Sequence, residues 1–419
     1  MNTRGLSLDQ APPITVPAGF FALVPAGFAA AGIVLLALGE AALATGWSTQ
    51  TLGLAHLGTL GVLGAAMLGA LYQMIPVVAG APVPRARLAH VVQISWALGV
   101  AALVFGLMGS PLATRVGMGL LGAALALFVP PVGLALLRAP GTGPTVQGMR
   151  VALLALLGVA GLGLVMAAGH AGLGWVGERP VTLRIHVALG LLGWVGGLLT
   201  AVSWQVVPMF YLAEPVPKLG QRLVLAGVIA GVLAPWVGLW SGSVHHVALG
   251  AAPAALAVFV LHPVLALRSI HRRRRRRSDA SLRAWQGGLV VALVCAALCW
   301  PAHALADPRW ALLLGWLSIA GWGGLIVHGM LSRVVPFLVW FHRFSALAGL
   351  APVPSMKDLL PDRRVLIGLA LHAGAVVVGA AAIGTGSGLL ARVAGGLLVL
   401  TGAWIGLWLI AVLSRRPAD

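Results

Sequence analysis

Histidine is the side chain through which this sequence could do chemistry, and four of its 12 histidines have informative positions. His56 and His186 lie 20 and 22 residues before a proline near the end of their segments. On helices that rise about 1.5 Å per residue, both imidazoles would stand roughly 30 Å from those prolines, at equivalent heights. His245 and His246 are adjacent, and they lie at the end of their predicted helix that is level with His56 and His186. Neutral imidazoles suit copper, zinc or haem iron, so His186, His245 and His246 could form one metal site. The alternative is that these histidines only form hydrogen bonds at the membrane interface.

Two further groups are candidates inside the predicted helices. His328 and His372 lie deeper in their helices than the other histidines. For His328 we favour a hydrogen bond across a helix interface over ligation of a haem. Cys295 and Cys299 are four residues apart on one helix face, a spacing poorly suited to a disulfide. They could bind copper(I), but small apolar packing residues are the commoner use of buried cysteines.

The composition excludes most soluble classes of protein. Of the 419 residues 60% are hydrophobic and only 9% are charged, whereas soluble chains carry roughly 25% charged residues. The mean hydropathy of +0.99 and the 57 glycines indicate a multi-pass helical membrane protein. Two cysteines exclude a disulfide scaffold. The net charge of +18 does not predict nucleic-acid binding, because the basic residues fall in short loops between apolar segments.

A membrane-spanning helix needs about 20 mostly apolar residues, and twelve segments meet that requirement. Their apolar runs are continuous rather than alternating, so strands are not expected. The loops leave no room for a separate soluble domain, and we predict one integral membrane domain over 1–419. The predicted helices are 17–39, 52–79, 87–109, 113–137, 150–171, 184–212, 221–241, 245–267, 284–305, 309–340, 363–384 and 388–413.

The basic residues predict the orientation in the membrane. With twelve helices both termini lie on one side, and 22 of the 27 Lys and Arg residues fall on that side, including Arg4 and the run 272–277. Short cytoplasmic loops are enriched in Lys and Arg, so both termini are predicted to be cytoplasmic, in a bacterial-type inner membrane. We expect no cleaved leader. The arginine run is interpreted as a topology anchor that faces anionic lipid. The other five basic residues are Arg115, Arg179, Arg184, Arg309 and Arg392.

The sequence repeats itself at every fourth helix. The second, sixth and tenth helices each carry two glycines three apart, and the later glycine lies twelve positions before a proline. Such glycines allow close helix packing, and we expect each proline to break the last turn of its helix. The repeat predicts three four-helix arcs, 17–137, 150–267 and 284–413, in a pseudo-threefold ring. The glycines and prolines are Gly61, Gly64 and Pro76; Gly193, Gly196 and Pro208; and Gly321, Gly324 and Pro336.

These features resemble the haem-copper oxidase subunit I superfamily, including smaller relatives such as the NnrS-type membrane proteins associated with nitric oxide stress. The resemblance covers all twelve helices. It implies that His56 ligates a haem b and that His186, His245 and His246 hold copper near the outer face. It also implies electron transport in respiration or a role in the nitric oxide response, with respiratory-complex subunits as partners.

The sequence departs from that family at positions that matter for catalysis. The two haem-ligating histidines that open the family's tenth helix correspond here to Leu314 and Trp316, which cannot ligate iron. We interpret Trp316 as a residue that fills space where a macrocycle would sit. Gly190 stands where oxidases often place a tyrosine, and the helices hold almost no carboxylates. A proton-pumping oxidase is therefore not expected, and the absent haem ligands argue against catalysis. A non-catalytic scaffold subunit and a membrane transporter are the alternative functions.

Overall fold

The structure is a computed structural model that describes residues 8–274 and 278–417. Arg4 and Arg275–Arg277, which contribute to the predicted orientation, lie outside the described residues. The described part of the chain is 84% helical and contains no strand. The prediction of an all-helical protein is therefore confirmed.

Twelve helices in the described residues are long and apolar enough to cross a membrane, as predicted. The helix α6 begins at Arg179, five residues before its predicted start, because Pro180 has the backbone angle that suits a first helical turn. The helices are α1 (Thr15–Leu43), α2 (Thr49–Ala79), α3 (Ala86–Leu107), α4 (Pro111–Arg138), α5 (Pro144–His170), α6 (Arg179–Tyr211), α7 (Lys218–Ser241), α8 (Val244–His271), α9 (Ala280–Ala304), α10 (Pro308–Arg343), α11 (Asp362–Thr385) and α12 (Gly388–Leu413).

Serine side chains define where four of these helices begin. In each case the hydroxyl oxygen accepts a hydrogen bond from a backbone N–H of the first turn, at 3.2 to 3.4 Å. Such N-caps satisfy one of the amides that a helix start leaves without a carbonyl partner. The capping residues of α2, α4, α8 and α12 are Ser48, Ser110, Ser243 and Ser387.

The three repeated helices share a local irregularity that the sequence did not predict. Each contains a π-helical stretch, over 57–64 in α2, 189–196 in α6 and 317–323 in α10. Each stretch begins nineteen residues before the proline of its helix. π-Helical turns are rare and often occur at functional sites. α8 also contains a π-helical stretch, Ala257–Leu261, so it is the shared distance to the proline that makes the sequence repeat also a repeat of backbone geometry.

The prolines of the repeat do not end their helices, contrary to our expectation. α2 and α6 continue for three residues beyond Pro76 and Pro208, and α10 continues for seven residues beyond Pro336. A proline removes one backbone hydrogen bond, but neighbouring helices and local adjustments tolerate this in membrane-spanning segments. The expected break is therefore absent.

The chain divides into two compact units, which we describe separately. Unit 1 consists of Met1–Pro12, Ala70–Arg276 and Ala292–Leu314, and contains α3 to α8 with the second half of α9. Unit 2 consists of Pro13–Gly69, Arg277–Val291 and Gly315–Asp419, and contains α1, α11, α12 and most of α10. The three-arc arrangement and the single membrane domain stay predictions.

Glycines allow close helix packing within both units. In unit 1, a methyl group at Gly106 of α3 would lie 2.3 Å from the backbone nitrogen of Thr114 in α4. In unit 2, a methyl group at Gly395 of α12 would lie 2.7 Å from the carbonyl oxygen of Gly32 in α1. These helix pairs therefore approach backbone to backbone, as small residues permit in membranes.

Candidate functional site

His186 lies in the first turns of α6 and is held by the neighbouring helix α5. Its Nδ1 donates a hydrogen bond to the carbonyl oxygen of Val159 at 2.9 Å. Its Cε1 atom would be 3.0 Å from a methyl group at Gly163. The ring is therefore oriented against the backbone of α5, in a half-buried position.

His245 and His246 lie in the exposed first turn of α8. His245 Nδ1 is 3.2 Å from Nε2 of His303, at the end of α9, and the two ring centres are 5.5 Å apart. His246 Nδ1 is 2.8 Å from the Ser241 hydroxyl. Arg184 of α6 completes this group, because its guanidinium is 3.4 Å from His303 Nδ1. We call His245, His246, His303 and Arg184 the surface histidine cluster.

The surface histidine cluster differs from the trio expected from the sequence. His245 and His246 have ring centres 6.4 Å apart, whereas the hydrogen bond of His186 leads to α5. Among the described residues, no group of three or more His, Cys, Asp or Glu side chains is arranged to hold a metal ion. The sequence did not assign His303 to this group. The only sequence feature that pointed to His303 was its position at the same predicted end of the helices as His245 and His246.

The hydrogen bonds determine which ring nitrogens carry a proton in the surface histidine cluster. A guanidinium can only donate, so Nδ1 of His303 accepts from Arg184. In the neutral ring Nε2 of His303 then carries the proton and donates to Nδ1 of His245. The result is a chain of donors from Arg184 through His303 to His245.

His56 lies in α2, one residue before the π-helical stretch over 57–64. Its Nδ1 donates to the carbonyl oxygen of Leu52, one turn earlier, at 2.7 Å. This bond fixes the neutral tautomer whose Nε2 carries the lone pair, the nitrogen through which a histidine ligates a metal when Nδ1 is so bonded. The ring is half-buried.

Trp316, which the sequence resemblance aligned with a haem-ligating position, fills the space beside its helix. The indole is 8% exposed, and its Nε1 donates to the carbonyl oxygen of Val376 in α11 at 2.9 Å. A methyl group at Gly379 would lie 2.2 Å from the indole ring. The tryptophan therefore packs directly on the backbone of α11, and this place does not fit a haem.

His328 of α10 and His372 of α11 form a pair that is fully buried in unit 2. Their Nδ1 atoms are 3.3 Å apart, their ring centres are 5.5 Å apart and their planes differ by 18°. The cross-helix hydrogen bond favoured for His328 is therefore confirmed. The rings meet by their nitrogen edges, and we call them the buried histidine pair.

The two cysteines are unremarkable in geometry. Cys295 is buried, Cys299 is half-buried and neither forms a disulfide. The Cys299 thiol donates to the carbonyl oxygen of Cys295 at 3.3 Å, a bond along its own helix. These positions are those of small packing residues.

Charged groups gather at two helix ends. Arg333 of α10 forms an ion pair with Asp279, and the Asp362 carboxylate accepts the backbone N–H of Ala280 at 2.8 Å. At the start of α10, Asp307 accepts hydrogen bonds from the backbone N–H and guanidinium of Arg309. These bonds, the backbone one most strongly, lower the pKa of the Asp307 carboxyl from its ordinary value of 3.8.

The fold and these side chains define a multi-pass helical membrane protein with imidazoles clustered at two places. No known family model matches the chain, and no curated protein shows significant similarity to it.

Proposed function

We propose that this protein is a haem-copper-oxidase-like metalloprotein of the membrane that binds copper near the outer face. The observation that carries the proposal is the 3.2 Å separation between His245 Nδ1 and His303 Nε2. Two ligand nitrogens that each lie about 2.0 Å from one tetrahedral ion are about 3.3 Å apart. The side chains therefore already have nearly the spacing of two metal ligands.

The setting of this pair suits a divalent ion. His245 is exposed, so solvent can complete the coordination sphere and counter-ions can approach. His246 is the nearest further imidazole. Bound copper would supply one-electron transfer, while the histidines would hold and orient it.

Arg184 opposes metal binding in the arrangement that the structure shows. Its hydrogen bond to Nδ1 of His303 requires Nε2 to carry a proton, and a metal at Nε2 would require the other tautomer. Occupation of the site therefore requires the guanidinium to turn away from His303. Arg184 should lower the affinity for copper.

A haem enters the proposal only through His56. The hydrogen bond to Leu52 leaves Nε2 as the ligating nitrogen, whereas the α10 positions offer Leu314 and Trp316. Trp316 favours a second candidate function, a non-catalytic scaffold subunit of a respiratory complex. An optical spectrum distinguishes them, because a haem bound through His56 gives an absorption band that His56→Ala removes.

The proposal also includes the orientation of the protein in its membrane and the process in which it acts. The excess of basic residues on one predicted side supports an orientation with both termini in the cytoplasm, which would put the surface histidine cluster at the outer face of an inner membrane. There the protein would act in electron transport, in respiration or in the response to nitric oxide. Reporter fusions at both termini test the orientation.

Copper binding is tested on detergent-purified full-length protein. We expect an equimolar amount of copper(II), seen by metal analysis and by paramagnetic resonance with nitrogen coupling. His245→Ala and His303→Ala should each abolish it, whereas Arg184→Gln should raise the affinity. His90→Ala is the matched control, because His90 is an exposed histidine on a different helix, α3, where its Nδ1 lies 3.1 Å from the Gln93 side-chain oxygen.

The result also decides the role of His186. Copper that survives His186→Ala would assign the site to His245 and His303, whereas its loss would restore the trio expected from the sequence. Wild-type protein that binds no copper, or binds it unchanged after both His245→Ala and His303→Ala, would refute the proposal.

A further inference from the structure

A small open cavity lies in unit 2, where the first turns of α9 and α11 meet α10 and the short helix Met356–Leu359. Because α9 and α11 begin at Ala280 and Asp362, the cavity lies at one end of these membrane-spanning helices. The ends of such helices lie at the level of the lipid headgroups. The polar and charged side chains that line the cavity are those of Asp279, Ser281, Ser332, Arg333, Lys357 and Asp362.

The segment that carries Lys357 is an addition to the third copy of the repeat. The sequence Pro-Val-Pro follows the repeated proline by six and seven positions in the first two copies, but by sixteen in the third. In the third copy the short helix Met356–Leu359 then precedes α11. Hydrogen bonds between Ser355 and Asp358 form a capping box at its start, with the Ser355 backbone nitrogen 2.8 Å from an Asp358 carboxylate oxygen. Lys357 therefore lies on a segment of defined conformation that the other two copies lack.

Two of the four charged side chains in the cavity neutralise each other. Arg333 forms an ion pair with Asp279, and the other carboxylate oxygen of Asp279 accepts the backbone N–H of Leu282 at 3.0 Å. One oxygen of Asp362 accepts a backbone N–H of α9. Among the ion pairs of the described residues, none includes Asp362 or Lys357. The cavity therefore offers one carboxylate and one ammonium group whose charges are not paired within the chain.

The buried wall of the cavity presents hydrogen-bond acceptors. Ser281 and Ser332 are 4% and 7% exposed, and both hydroxyl groups donate to the carbonyl oxygen of Gly329 at 2.8 Å. A hydroxyl has one hydrogen, so both serine oxygens can only accept from a ligand. Pro336 also lines the cavity and has no N–H, so the carbonyl oxygen of Ser332 receives no helical hydrogen bond from it. Such a wall favours a ligand group with several N–H donors.

We propose that the cavity binds a phosphoethanolamine group, with the primary ammonium inside and the phosphate beside Lys357. An ammonium has three donors and no acceptor, which matches the Asp362 carboxylate and the two serine oxygens. The phosphate would pair with Lys357, whose side chain is exposed and flexible. Phosphatidylethanolamine presents this group at the headgroup level, and free phosphoethanolamine has the same chemistry. No histidine takes part, so the inference does not depend on the copper site proposed above.

The lipid selectivity of the full-length protein tests the proposal. Protein purified in detergent and stripped of lipid is mixed with phosphatidylethanolamine, phosphatidylcholine or phosphatidylglycerol of the same acyl chains, and bound lipid is counted by native mass spectrometry. Choline has no N–H to donate, and the glycerol headgroup has no cation. A site that hydrogen-bonds N–H groups rejects analogues without them, so we expect one bound phosphatidylethanolamine and at least about 10-fold weaker binding of the other two lipids.

Two variants assign the selectivity to the cavity. Asp362→Asn keeps an oxygen for the backbone N–H of α9 but removes the charge, so the affinity for phosphatidylethanolamine should fall about 10-fold or more. Lys357→Gln should weaken the binding by about 2–5-fold, because exposed ion pairs contribute little. Lys218→Gln is the matched control and should leave the binding unchanged. Lys218 is the only other lysine of the chain, is exposed and belongs to unit 1.

Free phosphoethanolamine, added to the lipid-loaded protein, identifies the source of the ligand. Displacement of the lipid would show that the headgroup alone suffices, whereas retention with the lipid preference intact would assign the site to the phospholipid. Equal binding of the three lipids, or a preference that is unchanged in both Asp362→Asn and Lys357→Gln, would overturn the proposal. The comparison of lipids uses unmutated protein, so it decides the question even where a variant fails to fold.

Discussion

Replacing Trp316 tests how tightly this side chain packs between α10 and α11. The indole is 8% exposed, and its Nε1 bonds to the Val376 carbonyl oxygen. Removing a buried tryptophan costs about 3–5 kcal/mol in soluble cores. Within a membrane the transfer to water is absent from this cost, so the loss of packing against Gly379 dominates and the figure is an upper bound.

The contribution of the hydrogen bond can be measured separately. Trp316→Phe keeps an aromatic ring but removes the indole N–H that donates to the Val376 carbonyl oxygen, which should cost about 1 kcal/mol. Trp316→Ala should lose this amount together with most of the packing. We therefore expect a clear order of the free energies of unfolding, with wild type above Trp316→Phe and Trp316→Ala lowest.

The assay is equilibrium unfolding of the purified protein in mixed detergent micelles, followed by circular dichroism. A loss below about 1 kcal/mol for Trp316→Ala would refute the reasoning, because a buried indole packed on a backbone cannot be removed so cheaply. Such a result would mean that α10 and α11 are separated in the native protein. It would reopen this place to a macrocycle.

Two further predictions concern stability and ionisation elsewhere in the chain. Gly395→Ala places a methyl group 2.7 Å from the Gly32 carbonyl oxygen, so unfolding should become easier by about 1–3 kcal/mol, whereas the more open Gly396→Ala should not destabilise. Equal effects of the two variants in the same assay would contradict the close approach of α1 and α12. The Asp307 carboxyl has a pKa lowered by Arg309, so its stabilising bonds persist above pH 3.8 and disappear as the pH falls through the lower folded value. Carboxyl 13C titration should show this midpoint, and Arg309→Ala, which removes the guanidinium but keeps the backbone N–H, should move it only part of the way back towards 3.8.

Helix positions were predictable because apolar runs of sufficient length leave few alternatives in a membrane. All twelve segments are helices. The repeat was visible in glycine and proline spacing, but the π-helical stretches after His56 and before Pro208 were not. A π-helical stretch differs from an α-helix in its backbone hydrogen bonds, which span five residues instead of four, and the residue types of these segments do not reveal that difference. A proline in the sequence likewise predicts that one backbone hydrogen bond is lost. It does not predict that the helix continues beyond Pro336 because neighbouring helices stabilise it.

The site was less predictable, because histidines of similar height differ in the direction of their rings. His186 and His245 both fall near one predicted end, but a carbonyl oxygen of α5 holds the first and His303 meets the second. Rotation of a helix about its axis decides such contacts, and sequence spacing gives only the height. For His328 the expectation of a cross-helix bond succeeded because burial leaves an imidazole few other partners.

The two histidine pairs have almost the same nitrogen separation, 3.2 Å and 3.3 Å, but their surroundings differ in the charge that they can accept. At His245 solvent is accessible, so water and anions can share the charge of a divalent ion. At His372 the ring is fully buried beside Phe28, and every added unit of charge would remain uncompensated. Of the two pairs, only the surface pair therefore has surroundings that suit the divalent ion proposed above, whereas the buried pair is suited to a hydrogen bond between neutral rings.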